Sequence, residues 1–480
     1  MAKKTKKKDD EYISIDLSKI INYKHLPLAI LLLASLILNM YYFSTNKAVW
    51  WDEADYLSFV NFLTKGIPSA MWTGRAIIYP LILSIFGIIN SSENFLRFGL
   101  MIISLLTVSY CYLLLKKLSD KKTAFFATLL FQTSFLFLFF QIRFLTEIPS
   151  TLFTLMGLYY FLNKNLKSKI FAGIFIGLAI GIRFTSILII PAMLLYSILS
   201  KSNKLKNYSW IFSIIIGFAP VLIYELINGN YPFYSIIYFF VFSSQSPLSQ
   251  PWHYFISSHY IYGLLSAPFF ILGLLKYAKL NRKKILILSF FIIYFFMHSF
   301  VSSHKEDRYI IPILPVYFLI SVQGMFLFVD LLLNYLKKAN SFFKSKNLNF
   351  ALIFLLCLAI ICPSLMTSND SIQFKSESYY PVKEATIFLQ DYLPESDIVL
   401  GNTPQINYYS ERELIYLPST SAELYELLDE NPNINTIVIS AFEHIPDYAE
   451  EFNNQEKFRI INVAKFNNES AVYVIAYNRD

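Results

Sequence analysis

The stretch AVWWDEADYLSF, residues 48–59, sets three acids, Asp52, Glu53 and Asp55, directly behind a pair of tryptophans. It begins just after an apolar run ends, in a chain that is 55% hydrophobic and only 15% charged. Soluble domains carry about 25% charged residues, and the mean hydropathy here is +0.46. The chain therefore reads as an integral membrane protein. Its 480 residues leave room for about a dozen spans of roughly 20 residues each. What the acids can do depends on the side of the membrane they face.

Apolar runs fall at about 27–43, 96–115, 123–140, 149–162, 170–182, 184–199, 208–227, 259–275, 285–300, 310–336 and 349–366. The loops between them differ in charge. The N-terminal arm MAKKTKKK and the loops at 116–122, 163–169, 201–206, 276–284 and 337–346 are basic. Lysine and arginine mark cytoplasmic loops, so all six are expected inside. The arm has no small-residue cleavage site behind the first run, which is expected to stay as an anchor. Parity then puts 44–95, 141–148, 228–258, 302–308 and everything after 366 outside.

Charge also divides the chain lengthwise. Residues 1–366 hold 34 Lys and Arg against 14 Asp and Glu, whereas residues 367–480 hold 7 against 19. An acidic tail beside a basic membrane part reads as a separate soluble domain. DIVL (397–400), ELIYL (413–417), NTIVIS (435–440), FRIINVAKF (458–466) and AVYVIAY (471–477) have strand character, and 382–393 and 421–429 helix character. The expected architecture is mainly α: a basic cytoplasmic arm (1–26), a polytopic transmembrane domain of about 11 apolar segments (27–366) and an extracytoplasmic α/β domain (367–480). The tail has no phosphate-binding glycine loop and reads as a recognition or packing module. Cys111, Cys357 and Cys362 lie in apolar runs and suggest neither disulfides nor zinc.

Within loop 44–95, Tyr56, Phe59, Val60 and Leu63 repeat at i, i+3, i+4, i+7, which predicts an amphipathic helix lying on the membrane surface and ended by Gly66–Pro68. The short run 76–89 is expected at the interface. Asp52 could serve as the helix N-cap with Asp55 completing a capping box, or as a catalytic base carried by the helix; the two are compatible. The segment 170–199 is too short for two full spans. Gly173, Gly177 and Gly181, four apart, allow close helix packing there. Arg183 stands at its turn, at a depth where charge is costly.

Further outer-face charges are Arg143 and Glu147 in RFLTEIPS, and His304, Lys305, Glu306, Asp307 and Arg308 in HKEDRYIIPILP. Glu147 reads equally as a solvated loop acid and the second group as a water-facing cap on a span; both are also suited to bind substrate. His253 fits the interface, and the remaining histidines have no metal-site spacing. Carboxylates that can take a proton from a hydroxyl, beside cations that can steady a departing phosphate, at a lipid–water boundary, suit transfer of a sugar from a lipid phosphate.

At this point the motifs resemble a known family. WWDEADY is similar to the Asp-Glu motif in the first external loop of the GT-C glycosyltransferases, closest to the protein mannosyltransferase and aminoarabinose transferase group. RFLTEIPSTLF resembles that group's second acidic motif, GLAIGIRFTSILIIP its glycine-rich hairpin ending in a basic residue, and DRYIIPILP its arginine–tyrosine element. HKEDRY resembles the His-Lys-Glu signature of transferases that use dolichyl-phosphate mannose. The likeness spans about residues 20–320. The sequence departs from it in having Glu147 where Asp is frequent, and it has no Trp-Trp-Asp-Tyr-Gly motif in the tail.

The resemblance implies a GT-C fold and inverting transfer from a polyprenyl or dolichyl phosphate sugar, mannose being suggested by HKEDRY, to a glycan, lipid or protein acceptor. It implies Asp52 as base. Glu53, Arg143, Glu147, Arg183, His304, Lys305, Arg308 and Tyr309 would bind substrate, and Glu53 and Glu147 are candidate ligands for a divalent cation, Mg or Mn. The expected partners include the lipid bilayer and exclude nucleic acid. A secondary transporter is the rival reading, but the sequence has no internal repeat and its charges crowd one face. A non-catalytic envelope receptor would not need the charged motifs.

Overall fold

A computed structural model of the chain describes residues 25–200, 204–244, 250–336 and 346–479. The basic arm and the basic loops 201–206 and 337–346 fall largely outside those residues. Among the described residues, five helices are long and apolar enough to cross a membrane: Glu93–Leu118, Asn207–Ile227, Arg282–Val301, Asp307–Leu336 and Leu348–Phe374. Shorter apolar helices, among them Leu26–Tyr42 and Ser266–Tyr277, pack with them. The fold is mainly α with a small sheet domain at its end.

Two apolar runs are interrupted. The run 123–140 divides into helices Lys121–Gln132 and Phe135–Phe140, because Ser134 adopts an extended conformation (φ −68°, ψ 146°). The 170–199 segment is a true hairpin: helix Leu166–Ile182 stops at an extended Arg183 and helix Ile190–Ile198 returns. The glycines bring its first helix against Lys204–Ile227. A Cβ on Gly173 would lie 2.0 Å from the Trp210 carbonyl oxygen, and one on Gly177 2.2 Å from that of Ile214. Only backbone-to-backbone approach leaves so little room.

The acidic helix runs Trp51–Lys65 and ends on Gly66 in the left-handed region (φ 74°), a conformation glycine adopts without a steric penalty. It is not a bare surface helix but one enclosed by protein along most of its length. Every residue from Glu53 to Asn61 is buried, polar ones included. Tyr56, Phe59 and Val60 pack inward, with Tyr56 against Tyr79 and Phe59 against Tyr224, while Leu63 stays exposed, and the tail covers the polar side. Helix Ile78–Gly87 likewise packs against it and is mostly buried.

The tail forms one five-stranded sheet in the order β2-β1-β3-β5-β4, with β1 Ile398–Gly401, β2 Glu413–Tyr416, β3 Ile434–Ser440, β4 Phe458–Phe466 and β5 Glu469–Tyr477. β1 pairs in parallel with β2 and β3; β5 pairs antiparallel with β3 and β4. Helices Tyr380–Tyr392 and Ser421–Glu430 contribute to separate apolar cores. The predicted strands and these two helices are all present. The short helix Gln405–Ser410 was not expected. It inserts into the membrane domain, where Tyr408 and Tyr409 join the main core.

Candidate active site

The start of the acidic helix sets the geometry. Trp50, not Asp52, is the N-cap residue, and Glu53 at the third helical position reaches back to accept the Trp50 N–H at 2.6 Å. The other Glu53 oxygen accepts the Phe144 N–H, also at 2.6 Å. Glu53 thus does the capping expected of Asp55, and it ties the helix to the turn after Gln141. Asp52, one position earlier, is left free to face outward.

Two guanidiniums hold Asp52. Arg75 pairs with Oδ1, and Arg308 Nη2 meets Oδ2 at 2.7 Å. Arg75 also binds Asp55 at 2.7 Å, while Asp55 accepts the Trp72 N–H at 2.9 Å. The rings of Trp51, Tyr56 and Trp72 surround the Arg75 guanidinium at 5.3–5.9 Å. Burial pushes the Asp52 carboxyl up, but Arg75 and Arg308 outweigh it and hold the group well below the usual carboxylate range. Asp55 is fully enclosed, and burial raises it to about 6 despite Arg75. Glu53 is also raised, burial outweighing Arg143 and Arg97.

From Asp52 the charges alternate. Arg308 Nε lies 2.6 Å from Glu306 and 3.4 Å from Glu147. Glu147 opens helix Glu147–Phe161 and binds Arg183 Nη1 at 2.8 Å. Arg183 in turn lies over the Tyr309 ring at 4.6 Å, and Tyr309 donates to Glu306 at 3.0 Å. Asp52, Glu147, Arg183, Arg308 and Tyr309 therefore form one connected group, from four segments far apart in sequence.

Three expected residues stand elsewhere. Arg143 is fully buried behind Glu53, 3.8 Å from its carboxylate and stacked 3.5 Å over Trp50. Its place supports Glu53 and does not reach the Asp52 group. His304 is exposed and pairs with Glu306 at 2.9 Å. Lys305 lines a neighbouring cavity of about 400 Å³, together with Arg308 and Lys375 on the charged side and Phe135, Phe139 and Phe140 on the apolar side. His253 also lines it, held at 2.9 Å by Asp307.

Arg75, Asp55 and Lys375 are site residues that the sequence reading did not select. Arg75 had a signal: it is the one cation between Lys65 and Arg97, inside the loop that holds the acids. Lys375 had none, since its neighbours are acidic-tail residues.

A divalent cation on Glu53 and Glu147 does not fit this arrangement. Both Glu53 oxygens are taken by backbone N–H groups, which leaves Glu147 alone of the pair with a buried oxygen, Oε2, that has no hydrogen-bond partner, its Oε1 facing Arg183 and Arg308. Among the described residues, no three or more His, Cys, Asp or Glu side chains are placed to hold a metal ion.

Comparison with known proteins agrees with the fold. Residues 75–224 match the sequence profile of the family described as dolichyl-phosphate-mannose-protein mannosyltransferase. ArnT from Cupriavidus metallidurans, solved bound to undecaprenyl phosphate, superposes with a TM-score of 0.71 at 12% identity, covering 95% of this chain and 99% of its own. The Archaeoglobus fulgidus oligosaccharyltransferase, tethered to an acceptor peptide, gives 0.60 at 15% identity over 87% of this chain and 69% of its own. The mycobacterial arabinofuranosyltransferase AftD gives 0.61 at 10% identity over 95% and 40%. No curated protein matches the sequence. The fold is the GT-C fold, which this chain shares with these membrane glycosyltransferases.

Proposed function

We propose that this protein transfers a sugar from a polyprenyl or dolichyl phosphate to a hydroxyl- or amide-bearing acceptor, a glycan, lipid or protein, on the outer face of the membrane. The carrying observation is the Asp52 carboxylate, held by Arg308 at the edge of a cavity with a phenylalanine wall and a charged wall in which Lys305, Arg308 and Lys375 stand beside Glu306 and Asp307. That cavity suits a lipid phosphate: prenyl chain against Phe135 and Phe139, phosphate toward Arg308, Lys305 and Lys375. The undecaprenyl phosphate in the ArnT structure supports the same donor class, and the matched family's description, with HKEDRY, favours mannose.

As the site stands, both Asp52 oxygens are engaged by guanidiniums and the group is a poor base. A donor phosphate competes for Arg308 and releases one oxygen. Asp52 then takes the acceptor proton, the acceptor atom attacks the anomeric carbon, and the bond from that carbon to the phosphate oxygen breaks. The lipid phosphate leaves with its charge held by the cations, and the proton passes to it or to water. One displacement with no enzyme nucleophile inverts the anomeric centre.

The test is transfer from a synthetic polyprenyl-phosphate sugar by the purified protein in detergent. Asp52→Asn keeps the size and loses the basicity, and general-base catalysis is worth about 10²–10⁴-fold. Near wild-type turnover by Asp52→Asn would defeat the assignment. Glycan mass spectrometry of cells lacking the protein would name sugar and acceptor.

A further inference from the structure

The tail enters the membrane domain through helix Gln405–Ser410. The Tyr409 hydroxyl, on that helix, sits at a junction of hydrogen bonds. It accepts the Val49 N–H at 2.8 Å, just before the start of the acidic helix. It donates to Glu93 Oε2 at 3.3 Å. The other Glu93 oxygen accepts from Arg97 Nη2 at 2.6 Å, and Arg97 Nη1 donates to the Ile142 carbonyl at 2.9 Å. Ile142 leads into the turn that carries Glu147. The Glu53 bond to the Phe144 N–H closes the circuit from the other side. Lys383, also from the tail, braces it at 2.9 Å to Glu93 and 2.9 Å to the Lys47 carbonyl.

We infer that Tyr409 is a positioning residue for the transfer reaction: from the tail it fixes where Asp52 stands relative to Arg308 and Glu147. The inference rests on Asp52 being the base. Tyr409 is only 5% exposed. Water therefore cannot readily replace its hydroxyl, and without it a buried N–H and a carboxylate oxygen each lose a partner. The turn before Asp52 and the turn before Glu147 are then no longer tied through one atom. Misplacement by about 1 Å at a reacting centre can cost on the order of a hundredfold in rate.

Tyr409→Phe keeps the ring and its packing and removes only the junction. In the full-length protein, with a synthetic polyprenyl-phosphate sugar as donor, it should lower kcat about tenfold and leave the donor KM within about twofold, a partial loss on the scale of such misplacements. Glu93→Gln makes the same test from the membrane side. The double variant should be no worse than the poorer single one, because both act through one chain of contacts. Wild-type kcat in a folded Tyr409→Phe protein, an effect confined to donor KM, or multiplying effects in the double variant would overturn the inference. Asp52→Asn is measured alongside. If it is inactive while Tyr409→Phe is fully active, only the positioning role fails. If Asp52→Asn is itself fully active, the reading beneath it fails.

Discussion

Asp52 and Asp55 share Arg75 and sit three residues apart on one helix, yet their carboxyls are driven in opposite directions. The difference is the second guanidinium. Asp52 has Arg308 as well and stays ionised far into acid; Asp55 is buried with Arg75 alone and reaches about 6. The signs follow from linkage. Asp55, raised, favours the fold most below about pH 4 and loses that contribution as pH rises through about 6. Asp52, lowered, contributes above about pH 4 and loses it only as pH falls through its much lower folded value. As pH drops below 6, Asp55 takes up a proton and loosens its grip on Arg75 while Asp52 remains charged. The rate of transfer should therefore fall several-fold through that range, and kcat/KM measured from pH 5 to 8 would display it. Asp55→Asn should give a flat profile at the lower level; a limb near 6 that survives the substitution belongs to another group. At this scale the motifs brought out Asp52, Glu147, Arg183, Arg308 and Tyr309, because each is a charged or polar residue at an apolar border. Arg75 reads as one more loop cation until residues 66–74 turn back over the helix. Nothing in the letters says that Arg143 goes inward and Lys375 outward.

For whole elements, period and length were legible and cover was not. The i, i+3, i+4, i+7 spacing correctly announces a helix at Trp51–Lys65. It describes one apolar face and is silent about what lies on the other, so the expected surface helix is an enclosed one. The run 123–140 shows the same blindness: apolar composition counts residues and does not register the extended Ser134 that breaks it. The glycine spacing fared better, because close approach has a sequence signature. Gly177→Ala is a direct probe of it. Its Cβ would stand 2.2 Å from the Ile214 carbonyl oxygen, so the helices must part. Overpacking of this kind costs about 1–3 kcal/mol, which should appear as a lower melting temperature in detergent. A melt equal to wild type would mean that the pair has slack the packing does not show.

On the scale of the whole molecule, the acidic helix and the tail lie on one side, since Lys47–Glu377 and Lys65–Glu411 ion pairs and the Asn61 bond to the Tyr408 carbonyl join them. The ion pairs are partly exposed and individually worth little; the buried tyrosines make the joint. Loop charges predict that this side is the outer one. A cysteine introduced at Ser421, in an otherwise cysteine-free chain, should react with an impermeant thiol reagent on intact cells. Labelling only after lysis would put the site on the cytoplasmic face. The division of the chain into a basic and an acidic part was plain from charge, and the tail's strands from their alternation. Its role was not, because a packing contact made by one short helix leaves no pattern to read.

Val49 and Tyr409 are 360 residues apart and share a hydrogen bond just ahead of the acidic helix. Synthesis delivers the first early and the second near the end. A ribosome that has threaded every span into the bilayer has therefore not yet delivered a finished site. Contacts this distant in sequence close late, so the junction forms only after the membrane helices are already in place. A message cut short before the last seventy or so codons yields a membrane protein with its motifs intact and its junction absent. The geometry around Asp52 is therefore completed by the part of the chain that is made last.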